Sequence, residues 1–410
     1  MRPRRSSGLA PETRTCSTGQ PKRVLAMARG TGDAMKIDLN DLEVWGKAVP
    51  HDQFAWLRAN DPVHFQTQPD GPGYWCFTKH EDIVKASKNF QGFSSGKGMH
   101  IRDPENGAEL MLINMDPPGH TRLRNLVSKG FHPRMIAALE DKIREVVAEI
   151  LDNVGPKGEC DFVTEIAAEL PLIVICELAG VPPEDRHKIF SWSNTLIGTG
   201  DDPEYSPGME AAQKAFLEVN QYANLLAELR RHEPREDLVS AIVNAEVDGD
   251  KLGDLEISVF FVVLMIAGNE TTRNLIAGGM RALCEHPDQA ERLKEQPDLF
   301  QPMVDEMLRY VSPVNYFRRT ATQDFELRGK QIKAGEKCVL WYTSGNRDEE
   351  VFGNSMDFDV SRSPNPHVAF GGGGPHFCMG FSLAQLEIKV MFEELFKRLP
   401  DIQIAGPVQR

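Results

Sequence analysis

FGGGGPHFCMG, residues 370–380, sets four consecutive glycines two residues ahead of a histidine and four ahead of a single cysteine. Such a run sacrifices backbone order, since glycine loses more conformational freedom on folding than any other residue. A phosphate cradle, a zinc centre and a haem socket each want part of the pattern. A P-loop needs GxxxxGK[ST], with a lysine reaching the phosphates; here Pro375, His376 and Phe377 follow, and the next lysine is Lys389. A structural zinc wants four ligands, and no nearby Cys or His completes a set with His376 and Cys378. A glycine loop beside a buried structural thiol stays open as a reading, because free cysteines are often buried. It does not explain why Cys378 passes from a glycine loop straight into a helix start. There the unpaired N–H groups and the dipole favour a thiolate, the form that binds metal. Gly380 leaves a bare face where a flat macrocycle could approach, and a haem iron with one protein ligand needs one such sulfur.

The chain has 410 residues, 41% of them hydrophobic and 26% charged, an ordinary globular balance with no linker visible between residues 36 and 400. One large domain over 36–410 is expected. A formal charge of −14 argues against nucleic acid as the main partner, because phosphate binding relies on a basic surface. Cys16, Cys76, Cys160, Cys176, Cys284, Cys338 and Cys378 are scattered, odd in number and without a CxxC. That suggests neither a disulfide framework nor a structural zinc, and it fits a reducing cytoplasm. The longest apolar run, VFFVVLMIA at 259–267, is far short of the roughly 20 residues that span a bilayer, so a membrane-spanning segment is not expected. The first thirty residues carry seven Arg or Lys and one acid, Glu12. Residues 1–35 read as a disordered tail or an over-extended start with Met27 or Met35 as initiator; an Arg-rich targeting peptide is the other reading.

Along the chain the pattern is mainly α with small β pieces. GYWCFT (73–78) reads as a strand and HEDIVKASKN after it as a helix, while 91–109 is a polar, Gly-rich loop. Helical spacing runs through 119–152, 165–180 and 209–232. Residues 255–285 predict one long helix, apolar all round at its centre and hence buried. DFELRGKQIKAGEKCVLWYT (324–343) breaks into short strands at Gly329 and Gly335, RRTA (318–321) begins a strand, and a last helix covers about 381–399.

Further constellations accompany Cys378. AGNETT (267–272) lies mid-helix, where Glu270 is costly unless paired or functional. Thr271 and Thr272 can bond back to carbonyls one turn earlier and open the helix, while Ala267 and Gly268 leave space on the same side. Together they predict a small polar notch suited to a diatomic ligand and a water. ExxR occurs at Glu228/Arg231, Glu270/Arg273 and Glu306/Arg309, each at a spacing that allows an ion pair. His120 and Arg124 share a helix face at i, i+4.

The 370–380 stretch resembles the haem-ligand loop of the cytochrome P450 superfamily, in which a Cys thiolate holds the iron. The family's Phe usually stands seven residues before the Cys; here Phe370 stands eight before it. NPHVAFGGGGPHFCMG, NMDPPGHTRLR and FFVVLMIAGNETTRN are similar to a bacterial branch that oxidises steroid side chains at C26/C27 and methyl-branched lipids. The resemblance spans roughly 36–405. Members usually continue with a further strand pair over the substrate pocket, whereas this sequence stops at PVQR410 without it, so either the sequence is truncated there or the pocket is open at that edge.

The resemblance implies a cytochrome P450 fold with haem b between the long central helix and the helix after the Cys loop. Cys378 would be the iron ligand, with Phe370 and Gly380 against the cofactor and Ala267 and Gly268 beside the oxygen site. His120, Arg124, Arg319 and His376 would hold the propionates, Arg319 being preferred to Arg318 for its Arg-x-Ala spacing. Thr271 and Glu270 would be the alcohol and acid that handle protons, and Glu306/Arg309 a scaffold pair. The implied reaction is hydroxylation of an unactivated C–H bond of an apolar substrate. A steroid side chain is favoured, a terpene or a fatty or branched lipid is the alternative, and Val314, Phe317 and the 91–115 loop line the pocket. With no flavin or iron–sulfur domain legible, electrons are expected from an external ferredoxin and its NAD(P)H-dependent ferredoxin reductase. A haem-thiolate sensor without turnover would not need Glu270 and Thr271.

Overall fold

Asp254–Glu285 forms one unbroken helix in the computed structural model, which describes residues 35–103, 108–131, 133–197, 208–246 and 249–409. The tail expected over 1–35 therefore lies outside the described residues except for Met35. The central helix starts where Glu256 accepts a hydrogen bond from the Gly253 N–H at 2.9 Å, and it ends before Pro287, which cannot continue a helix. By length and composition it could cross a membrane, yet 56% of its apolar window is buried inside the fold. Its burial runs right round, from Ile257, Phe260, Phe261 and Val262 to Leu275 and Ile276. It packs against the helices Met209–His232, Glu169–Ala179 and Phe381–Arg398, within the compact unit Asp38–Arg410.

The β part is small. Strands β1 (Val63–Gln68), β2 (Gly71–Phe77), β3 (Phe93–Ser94), β4 (Tyr316–Ala321) and β7 (Lys337–Trp341) form one sheet in the order β1-β2-β7-β4-β3. Strands β5 (Phe325–Leu327) and β6 (Lys330–Ile332) make a separate hairpin, turning at Gly329 with φ +76°. Strand β4 starts two residues ahead of the expected Arg318, because Tyr316 and Phe317 pair with Trp341 and Leu340. The helical run expected over 119–152 is broken: Gly119–Val127, a tight turn at Ser128–Phe131, Pro133–Ala138 and Glu140–Val154. A proline lacks the N–H of a continuing ladder and suits a helix start, and Pro133 occupies one.

All the ExxR spacings form ion pairs, so spacing alone does not single one out. Glu228–Arg231 (3.2 Å) is at the surface and Glu270–Arg273 is half-buried, whereas Glu306–Arg309 has no exposed side-chain surface. Arg309 Nε and Nη2 each reach a Glu306 oxygen at 2.7 Å. Glu306 also accepts from Arg362 Nε (3.0 Å), Asn365 Nδ2 (3.1 Å) and the Asp359 N–H (2.9 Å). Arg309 spends its other donors on the carbonyls of Asn346, Ser355 and Asp357. Helix Phe300–Val311 is thus tied to the irregular chain 346–365 that leads into the glycine loop. Removing one partner leaves the other charge buried and unpaired, a loss of about 3–5 kcal/mol. Glu306→Ala is accordingly expected to lower unfolding free energy by that order in urea titration; a change under about 1 kcal/mol would contradict this reading of the network.

Candidate active site

The glycines are explained by the helix His80–Lys88, onto which the loop is pressed. Gly371, Gly373 and Gly374 have φ of +90°, +88° and +77°, values that favour glycine. A Cβ on Gly372 would lie 2.6 Å from Ser87 Oγ and 2.9 Å from Val84 Cα, and one on Gly374 would collide with the Ser87 carbonyl oxygen. The loop closes where the Cys378 N–H donates to the Phe370 carbonyl at 3.0 Å. Two residues later Gly380 caps the helix Phe381–Arg398, and a Cβ there would meet nothing within 4 Å. The expected bare face is present.

Cys378 opens onto a cavity with about 1410 Å³ of atom-free space, part of it open to solvent. Among the expected site residues, His120, Arg124, Ala267, Gly268, Thr271, Phe370, His376, Cys378 and Gly380 all line it, as do Val314 and Phe317. From the 91–115 loop Leu112 and Ile113 contribute; residues 104–107 lie outside the described residues. Ala267 is exposed in the middle of a core helix, between the buried Met265 and Asn269, because it faces this hollow.

The central helix differs in detail from expectation. It stays helical through 267–272, and there Thr271 Oγ1 donates to the Ala267 carbonyl at 2.9 Å. Gly268 does not hold space open on its Cβ side, where an added methyl would come within 2.7 Å of Ile175 Cδ1; it permits close packing of the Glu169–Ala179 helix. Glu270 is not on the cavity wall. Its carboxylate is held by Arg273, one turn along the same helix, and by Asn274 Nδ2 at 3.0 Å, and Arg273 reaches Asn194 at 3.5 Å.

Positive and polar groups gather around a pair of histidines on the cavity wall, with Asp116 as a nearby acid. The rings of His120 and His376 stand 4.2 Å apart. Both ring nitrogens of His120 and Nε2 of His376 are buried without a hydrogen-bond partner. Burial, then Arg124, push His120 down to about 4, with Asp116 opposing; burial, then Arg319, push His376 down to about 3. Arg124 donates to the Phe377 carbonyl at 2.6 Å and Arg319 to the Arg318 carbonyl at 2.8 Å. Neither has an acidic partner among the described residues. Arg318 instead faces away on β4 and pairs with Asp103 at 2.6 Å, so adjacent arginines point to opposite sides as strand geometry requires. Arg319 does not line the cavity, but its charge is felt by both histidines.

This is the environment that a group carrying two carboxylates would complete: orphaned donors, uncompensated guanidinium charge and an open cradle over Gly380. Among the described residues no cluster of three or more His, Cys, Asp or Glu could hold a metal. A metal bound through Cys378 must therefore bring its other ligands with it, as a haem does. Burial raises the Cys378 pKa, against the pull of a Gly380 backbone hydrogen bond and of Arg124. The helix start thus fails to outweigh burial, and without a metal the sulfur is held as a thiol; coordination itself would remove the proton.

A family model described as Cytochrome P450 matches residues 209–400. The chain is 41% identical over 382 residues to the methyl-branched lipid omega-hydroxylase of Mycobacterium tuberculosis, covering 89% of each protein. It belongs to the cytochrome P450 family. The steroid C26-monooxygenase of Mycolicibacterium smegmatis is 42% identical over 88% of this P450 and 87% of that enzyme. A Mycobacterium marinum cytochrome P450 solved in complex with pseudoionone superposes with a TM-score of 0.83 at 39% identity, over 92% and 96% of the two chains. This P450 is a monooxygenase whose cofactor is haem iron, with the mainly α fold that the loop motif implied.

Sequence reasoning missed Arg362, Asn365 and Glu387. The first two reach Glu306 from more than fifty positions away, beyond any local spacing rule. Glu387 left a signal, because four residues separate it from Leu383 and from Met391 on the buried face of the last helix.

Proposed function

We propose that this P450 hydroxylates the end of an alkyl chain, most of all the side chain of a steroid, with electrons from an external ferredoxin and its NAD(P)H-dependent reductase. The supporting observation is the pairing of an apolar cavity with the two sets of relatives. One is named for the omega position of methyl-branched lipids and the other for carbon 26 of steroids, and both positions are chain ends. Leu112, Ile175, Phe260, Leu264, Val314 and Phe317 give the cavity walls without charge, which suits a hydrocarbon and excludes water. The proposed setting is the cytoplasm, supported by the free thiols Cys76, Cys160, Cys176, Cys284 and Cys338.

The haem b expected here would be held by the Cys378 sulfur, with His120, Arg124, Arg319 and His376 on its propionates, where charge-assisted hydrogen bonds are strong. When bound it supplies the activation of dioxygen and the insertion of one oxygen atom into a C–H bond. The chain's own part is positioning and proton handling. The Thr271 hydroxyl, on the cavity wall, is free to turn from the Ala267 carbonyl and offer its hydrogen inward. Glu270 reaches that hydroxyl only if its pair with Arg273 opens, so Arg273 sets when the acid is available.

Titration of the haem-loaded protein with steroids bearing or lacking the alkyl side chain, branched fatty acids and terpenes tests the substrate. Side-chain steroids are expected to shift the Soret band at the lowest concentration. Equal affinity for a steroid without the chain would sink the proposal. With a ferredoxin and reductase supplying electrons, Thr271→Ala is expected to keep that shift while its product per electron falls roughly tenfold or more, the scale of a lost proton-transfer group. Unchanged coupling would remove Thr271 from proton handling.

A further inference from the structure

The helix Met209–His232 packs against the central helix and leaves another face bare. On that face Leu217 and Leu225 are 60% and 73% exposed. Exposed leucines scattered singly are ordinary on a protein surface, but these two share a stripe. At 3.6 residues per turn, Glu210, Lys214, Leu217, Gln221, Leu225, Glu228 and His232 fall within about 40° of Gln221 around the helix axis, and all are exposed. Their spacing is four, three and four residues, then four, three and four again. An eleven-residue repeat of this kind drifts by only about 20° per repeat on a straight helix, so the stripe stays in line from end to end.

The side chains along the stripe complement their own reversed order. Four residues either side of Gln221 stand Leu217 and Leu225; seven either side, Lys214 and Glu228; eleven either side, Glu210 and His232. A second copy laid antiparallel, with Gln221 facing Gln221, therefore sets leucine on leucine at the centre. Lysine then meets glutamate on both flanks, and beyond them glutamate meets histidine. A two-fold interface demands this self-complementarity, in which residue i meets j while j meets i. In parallel register the same stripe would set Lys214 against Lys214 and Glu228 against Glu228.

The charges are available for the exchange. Lys214 reaches Glu218 at 3.8 Å, while Glu228 reaches Arg231 at 3.2 Å and His232 at 2.9 Å. These pairs lie within the one helix, and the side chains of Lys214 and Glu228 remain 76% and 59% exposed. Ion pairs of that kind contribute little to stability, so they can be remade between two copies at small cost. The groups left behind keep other partners, since Glu218 accepts from the Trp192 indole N–H at 2.8 Å and Arg231 also holds Asp254.

We propose that this face pairs the P450 with a second copy of itself, the two Met209–His232 helices lying antiparallel about Gln221. None of the stripe residues lines the cavity, so the pairing concerns assembly and leaves the reaction, whatever its substrate, to each copy.

The test is sedimentation of the haem-loaded full chain over a concentration series. One helix pair is small beside the roughly 1,200–2,000 Å² of a stable interface, so a reversible dimer with a Kd of about 1–100 μM is expected. Leu225→Lys is expected to weaken association tenfold or more, with the carbon monoxide spectrum of the reduced protein unchanged. Lys214→Glu and Glu228→Lys should each weaken it by setting like charges opposite one another, and the two together should restore it. A wild type still monomeric at about 100 μM, a dimer that Leu225→Lys leaves intact, or a double variant no better than the single ones would each overturn the proposal. So would a monomer that binds phosphatidylglycerol vesicles through Leu225, which would give the face to a lipid surface. Should Leu225→Lys fail to load haem, the charge exchange decides.

Discussion

A carboxylate with no exposed surface, Glu306, ties together the parts of the chain on which the cysteine depends. It takes its charge partner from its own helix and further donors from Arg362, Asn365 and the Asp359 amide, while Arg309 fastens the carbonyls of Asn346, Ser355 and Asp357. The segment so fixed has little regular structure of its own. Five residues past Asn365 the chain reaches Phe370, whose carbonyl takes the Cys378 N–H. Between these anchors the glycines let the backbone lie against Val84 and Ser87, closer than any side chain allows. The sulfur's position is thus the end of a chain of constraints that starts in an ion pair.

What the constraints create is a deliberate imbalance. Buried polar atoms are almost always satisfied in a folded protein, yet His120, His376 and Glu387 all leave such atoms bare around one hollow. The imbalance is of two kinds, guanidinium charge at Arg124 and Arg319 beside His120 and His376, and an unpartnered carboxyl oxygen at Glu387. A haem whose propionates lay beside the arginines would remove part of the deficit, and a ligand that binds only the folded state stabilises it.

Sequence legibility followed the range of the interactions. The long apolar helix, the strand breaks at Gly329 and Gly335 and the Cys loop depend on neighbours within a few residues, and all could be read. Arg318 against Arg319 was ambiguous until strand alternation sent one to Asp103 and left the other near the histidines. Gly268 was misread because a missing side chain leaves space or admits a neighbour, and only the position of Ile175 distinguishes the two. Glu270 carries the family pattern, but its ion pair with Arg273 takes it off the cavity wall. Glu387 is marked in the sequence only by its four-residue spacing from Leu383 and Met391 on the buried face of its helix.

All of this turns on whether the sulfur at position 378 would hold the haem iron. The direct measurement is the absorption of the reduced, haem-loaded protein under carbon monoxide, with Cys378→His alongside it. The wild type should develop the band that gives cytochrome P450 its name, and the histidine variant should not. A wild-type spectrum of the kind given by histidine-ligated haem, or a variant that keeps the P450 band, would contradict the account.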